Sequence, residues 1–198
     1  MKNLKIVLVA LLIMGIAAAV VGTVSTAIFT DSSAVGGNTF NTGTVDITTS
    51  PASAIWASVP AGAPGDRATG SLTVTNNGSL QLRYSLSGAN TSATLAAAMN
   101  LRIGLRGGAS CDFPYHNTDG TNTALADDAQ LFSGTLNTTA LIGSNAQGNQ
   151  AGDRTLNAAA NEVLCFAVVL PTTAGNGVQG LNDTSTFTFE AEQTANNP

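Results

Sequence analysis

Histidine occurs once in this sequence, at His116, and lysine only at Lys2 and Lys5. A zinc peptidase of the familiar kind needs two imidazoles one helical turn apart with a glutamate between them. His116 lies in the loop-like stretch Pro114-Tyr115-His116-Asn117 with no glutamate beside it, so an exposed loop histidine is the expected state. A serine triad would have to draw on the same imidazole, and no Gly-x-Ser-x-Gly elbow is present. Beyond residue 27 the basic residues are Arg67, Arg83, Arg102, Arg106 and Arg154 alone, which argues against nucleic acid as a partner. Sortase linkage and internal isopeptide bonds both need a lysine amine, and neither is open to a chain that has lost its first 27 residues. Charged residues make up 10% of the sequence, so mutual repulsion is weak and association easy. Aromatics make up 5%, and Trp56, Phe113 and Tyr115 are among those that fall outside clear strand patterns. That leaves little for the exposed aromatic platform of a ligand-binding module.

What is present begins with an apolar run from Ile6 to Val21, preceded by Lys2 and Lys5 and followed by Ser25-Thr26-Ala27. The order is that of a secretory signal peptide over residues 1–27, with cleavage by a signal peptidase after Ala27. The run approaches the roughly 20 residues that span a bilayer, so an uncleaved anchor is the alternative, and contact with a membrane is otherwise expected only before cleavage. The remainder is long enough for one domain with a real core. Cys111 and Cys165 are the only cysteines. An oxidising route favours a disulfide between them, whereas in a reducing one each would be a small buried hydrophobe.

Alternating apolar and polar residues predict strands around Val45–Ile47, Leu72–Val74, Leu80–Leu86, Leu101–Leu105 and Phe187–Ala191. Asn76-Asn77-Gly78-Ser79 separates the second from the third, and its Asn-Gly pair predicts a type I′ turn and a β-hairpin over Leu72–Leu86. Val163–Leu170 is apolar at nearly every position and ends at Pro171, as a central strand covered on both faces would. A short helix is expected from about Ser92 to Met99, with Thr91 or Ser92 as its N-cap. Asp112–Asp128 and Asn137–Gly152 lack periodicity and read as long surface loops. The whole is an all-β, jelly-roll β-sandwich with one short helix.

Paired carboxylates at Asp127-Asp128, and at Glu190 with Glu192 on the wet face of a strand, need no catalysis to explain them. Asp112, Asp119, Asp127 and Asp128 could offer oxygens to calcium, but no EF-hand spacing is present and a solvated acidic loop is expected. A cysteine nucleophile is not expected, because a thiol at Cys165 inside an apolar strand would be inert. No catalytic residue, resident metal or cofactor is therefore assigned. Asn77, Asn90, Asn137 and Asn182 begin Asn-x-Ser/Thr sequons, which are glycan acceptors only if the source glycosylates asparagine. Asn77, in the predicted turn, is the most accessible.

Phe29-Thr30-Asp31, then Asn38-Thr39-Phe40-Asn41-Thr42-Gly43-Thr44-Val45-Asp46-Ile47, resembles the start of the TasA/camelysin family of secreted biofilm-matrix proteins. Pro64-Gly65-Asp66, Leu72–Asn77 with Gly78, Leu170-Pro171, Asn176, Gln179-Gly180 and Phe187–Gln193 continue the likeness in the same order. Similar subunits build some archaeal pili. The resemblance implies a jelly-roll domain, here residues 39–198, exported and assembled head-to-tail into extracellular fibres, with itself as partner. It implies too that the segment 28–38, through Ile28, Phe29, Thr30 and Val35, leaves its own domain and adds as a donor strand to the next subunit's sheet. The Cys pair and the Asp112–Asp128 loop depart from the family pattern. The expected function is thus a structural subunit at the cell surface or in the matrix. The alternatives are a monomeric adhesin or glycan-binding module and, third, a camelysin-like metallopeptidase.

Overall fold

The computed structural model describes residues 39, 41–53, 55, 62–106, 111 and 129–197. The chain separates into two units, 1–41 and 42–198, and apart from Thr39 and Asn41 the described residues belong to the second. Strands are β1 (Ile47–Ser50), β2 (Arg67–Asn76), β3 (Leu82–Asn90), β4 (Asn100–Leu105), β5 (Ala129–Thr135), β6 (Ala140–Ile142), β7 (Arg154–Leu156), β8 (Asn161–Val169) and β9 (Ser185–Gln193). Helix α1 (Ala93–Ala98) and a 3-10 turn at Asn176–Val178 complete them.

The strands form two antiparallel sheets. The larger runs β1-β2-β8-β4-β5, and in the smaller β3 pairs β9 on one side and β6 and β7 on the other. The inward residues alternate as the sequence predicts: Leu72 and Val74 on β2, Leu101 and Ile103 on β4, Leu164, Phe166 and Val168 on β8 face Leu82, Tyr84 and Leu86 on β3. This is the all-β sandwich expected, and β8 is the middle strand of its sheet. The outward side of β8 is covered at Cys165, which is fully buried and packs with Cys111 and Ala167. Helix α1 starts where Ser92 caps it, its hydroxyl accepting the Leu95 N–H at 3.3 Å.

The predicted hairpin over Leu72–Leu86 does not form. β2 and β3 lie in different sheets, and Asn76–Gln81 is a corner between them. The cause is Asn76, fully buried at the end of β2. Its side-chain oxygen accepts the Gly78 N–H at 2.9 Å, and its amide donates to the carbonyls of Leu80, Leu156 and Asn157 at 2.8–3.1 Å. Residues 44–46 run alongside: Asn77 N–H donates to the Asp46 carbonyl at 2.8 Å and Ser79 N–H to that of Thr44 at 3.1 Å. Gly78 is absent from the left-handed conformers, so its role is space; a Cβ there would stand 2.4 Å from the Thr44 carbonyl oxygen. Gly65, at φ 102°, does need glycine's freedom, in the turn that leads into β2.

The expected loop Asn137–Gly152 is interrupted by β6, whose Leu141 and Ile142 are buried. β5 escaped the period-two reading because its pairing with β4 shifts between Ile103 and Gly104. This bulge breaks the alternation, so that adjacent Leu131 and Phe132 both pack on the core.

Candidate functional site

A polar cluster ties the two sheets together. Tyr84, on β3, donates its hydroxyl hydrogen to Glu162 at the start of β8, and Arg154 on β7 donates from Nε at 3.1 Å and from Nη2 to the same carboxylate. Burial, and then the adjacent Glu162 carboxylate, push the Tyr84 hydroxyl far above the ordinary tyrosine range. Glu162 in turn raises Arg154 through their hydrogen bond. A neutral phenol, a carboxylate and a guanidinium that satisfy one another are a structural clamp with no group left over for chemistry.

On the outward face of the smaller sheet, Arg83 Nε donates to Glu192 at 2.6 Å, and its Nη2 donates to the Asn197 carbonyl. Glu192 also accepts the Gly148 N–H at 3.0 Å. The Arg83 hydrogen bond, then that of Asn197, hold the Glu192 carboxyl below the usual carboxylate range. Glu190 keeps the exposed position expected of it, whereas Glu192 is an engaged ion-pair partner.

Sheet edges are the other feature able to act on a partner. β9 pairs only with β3 among the described residues, and β1 only with β2. The two edges lie on the same side of the sandwich, where β1 touches β9. Phe187 and Phe189 on β9 point inward, their rings tilted against those of Phe166 at 5.2 Å and Tyr84 at 5.9 Å between centroids, and both are half-buried. Among the described residues this nine-residue edge, with Phe189 half-buried along it, offers another strand both main-chain bonds and apolar contact. Val45, just before β1, is 38% exposed.

Of the residues singled out from sequence, Cys111 and Cys165 are joined in a disulfide with Cα atoms 5.3 Å apart. Asn77, Asn137 and Asn182 are exposed. Asn77 sits on the inter-sheet corner and not in a hairpin turn, its amide donating to Thr48 Oγ1 at 2.8 Å. Asn90 is within β3, with its side chain spent on the Leu136 carbonyl and the Ser185 hydroxyl, a poor position for a glycan. Ala27, Ile28, Phe29, Thr30, Val35, Trp56, His116 and the aspartates of 112–128 lie outside the described residues. Among the described residues no three His, Cys, Asp or Glu side chains group closely enough to hold a metal ion, and no helix is long and apolar enough to cross a membrane. Sequence reasoning missed Asn76; its place at the end of an alternating run, with inward parity, was the available signal.

The sequence profile of the camelysin metallo-endopeptidase family matches residues 5–197, nearly the entire chain. The chain belongs to this family. The resemblance read from its scattered motifs is thereby shown, and this camelysin-family protein joins a group associated with secreted or cell-surface proteins. No curated protein matches it. Among solved structures, the ASH/PapD-like domain of human CEP192 (PapD-like domain 7) is similar at 13% identity over 84% of this chain and 96% of that one, with a TM-score of 0.27, too slight a likeness to argue from.

Proposed function

We propose that this camelysin-family protein is a structural subunit of extracellular fibres, in which residues 28–38 of one copy add as a strand to the open side of the next. The observation that carries the reading is the outer edge of β9, which among the described residues pairs with no strand but β3, with Phe189 half-buried along it and the similarly placed β1 beside it. A strand entering there would pair with edge backbone groups that bond to no other strand among the described residues, and would cover Phe189. Phe29 is the apolar anchor of the incoming segment, and Gly36-Gly37 supplies the hinge that frees it. The contact is head-to-tail, so it propagates instead of closing. Family membership supports a matrix role at a coarse level, because members of the TasA kind are structural. The peptidase in the family's description finds no assembled ligand set among the described residues, and His116 is the sequence's single imidazole.

The test is electron microscopy of exported protein beside a variant lacking Ile28–Val35. Fibres from the parent, and a folded, monomeric variant by circular dichroism and gel filtration, are expected. Undiminished fibres from the variant would sink the donor-strand mechanism, and an exported parent that remains monomeric would sink the fibre reading itself.

A further inference from the structure

The outward face of the smaller sheet carries a shallow cleft of about 250 Å³, where the turn around Ser144–Gln147 stands over β3 and β9. Its floor holds an anomaly. Ser85 is 5% exposed and lines the cleft, yet its hydroxyl has no hydrogen-bond partner among the described residues. Leaving such a group unsatisfied costs roughly 1–3 kcal/mol, so the position calls for something that binds there. Around it are Glu190, in register across from Ser85 and exposed, and the exposed side-chain amides of Asn145 and Gln147, all likewise without partners among the described residues.

We propose that this cleft binds a neutral saccharide unit through its hydroxyl groups. Charge and the set of groups left free decide against the other ligands. Arg83 beside Ser85 is already neutralised by Glu192, while Glu190 and Asp153 add negative charge, so an anion is repelled. A bare cation would find few free ligands, because Glu192 is held by Arg83 and both Asp153 oxygens already accept the N–H groups of Ser144 and Gln150 at 3.0 and 2.9 Å, which leaves Glu190 as the one carboxylate in the lining without a partner among the described residues. What remains free is a hydroxyl and two amides, which donate and accept, and a carboxylate, which accepts. A sugar ring carries hydroxyls that do both. An extended peptide would need free backbone groups, and at Ser85 β3 is paired with β9. The volume lies below the range of about 300–1,000 Å³ typical of drug-sized pockets, which suits one ring, and with no aromatic platform the binding is weak. The site does not depend on polymerisation and goes beyond the fibre reading.

Saturation-transfer difference NMR tests it, because the method reads weak ligands on monomer or fibre alike. With glucose and N-acetylglucosamine as probes, the exported protein should transfer saturation to ring protons. Ser85→Ala should weaken binding about fivefold to tenfold with the melting temperature unchanged or raised, since the substitution removes an unsatisfied hydroxyl. Glu190→Gln, at an exposed position, should weaken binding and leave folding intact. No transfer to either sugar, or wild-type binding by both variants, overturns the proposal. If Ser85→Ala fails to fold, Glu190→Gln decides it alone.

Discussion

Asn76 Oδ1 and the Gly78 N–H are hydrogen-bonded at 2.9 Å inside the protein, and this contact turns the chain from one sheet into the other. The same side chain donates to carbonyls from two separate segments, 80 and 156–157. It therefore acts as a three-way junction where a tight turn would have made a hairpin.

Replacing Asn76 by alanine strips partners from buried carbonyls and from the Gly78 N–H at once. The expected loss is about 2–4 kcal/mol, measured by urea unfolding. Asn76→Asp should be at least as damaging, since a carboxylate offers only acceptors to three carbonyls. A change within about 0.5 kcal/mol, the range of ordinary surface substitutions, would show that the corner is held by other contacts.

Tyr84 sets an alkaline limit. Its folded-state pKa is raised, so the folded protein holds the phenolic proton more tightly than the unfolded chain does. The resulting stability is fully present below the unfolded value of about 10 and is lost as pH rises beyond it. Ultraviolet titration should find Tyr84 ionising only as the protein unfolds. Tyr84→Phe should flatten the alkaline loss of stability. Reversible ionisation of both tyrosines in folded protein would count against the buried clamp.

The Cys111–Cys165 bond holds Cys111 against the outward side of the central strand. Protein denatured without reductant should take up no alkylating agent. Substituting both cysteines by alanine should lower stability by about 2–4 kcal/mol. Two alkylated thiols per chain would remove the bond from this account.

Local pattern alone was enough for most elements. Alternation at Leu72–Val74, Leu101–Leu105 and Phe187–Ala191, and the unbroken apolar run at Val163–Leu170, each reflect how far a residue must be buried on each face of a strand. Ser92 announces its helix because a cap is satisfied by its own chain three residues on. The order of scattered motifs was enough to indicate the family. What only the tertiary structure decided are the relations that depend on distant segments. Asn76-Asn77-Gly78 fits a hairpin turn by every local rule, but carbonyls at 156–157, supplied by a strand eighty residues away, made it a corner between sheets. β5 hid its period behind a bulge set by its partner β4. Ser85 looks like one more polar residue on a wet face until the 144–147 turn is laid over it. Side-chain alternation is fixed by the backbone of a single strand, whereas sheet membership, edges and unsatisfied groups are fixed by pairings made across the chain, and no short stretch of sequence contains both partners.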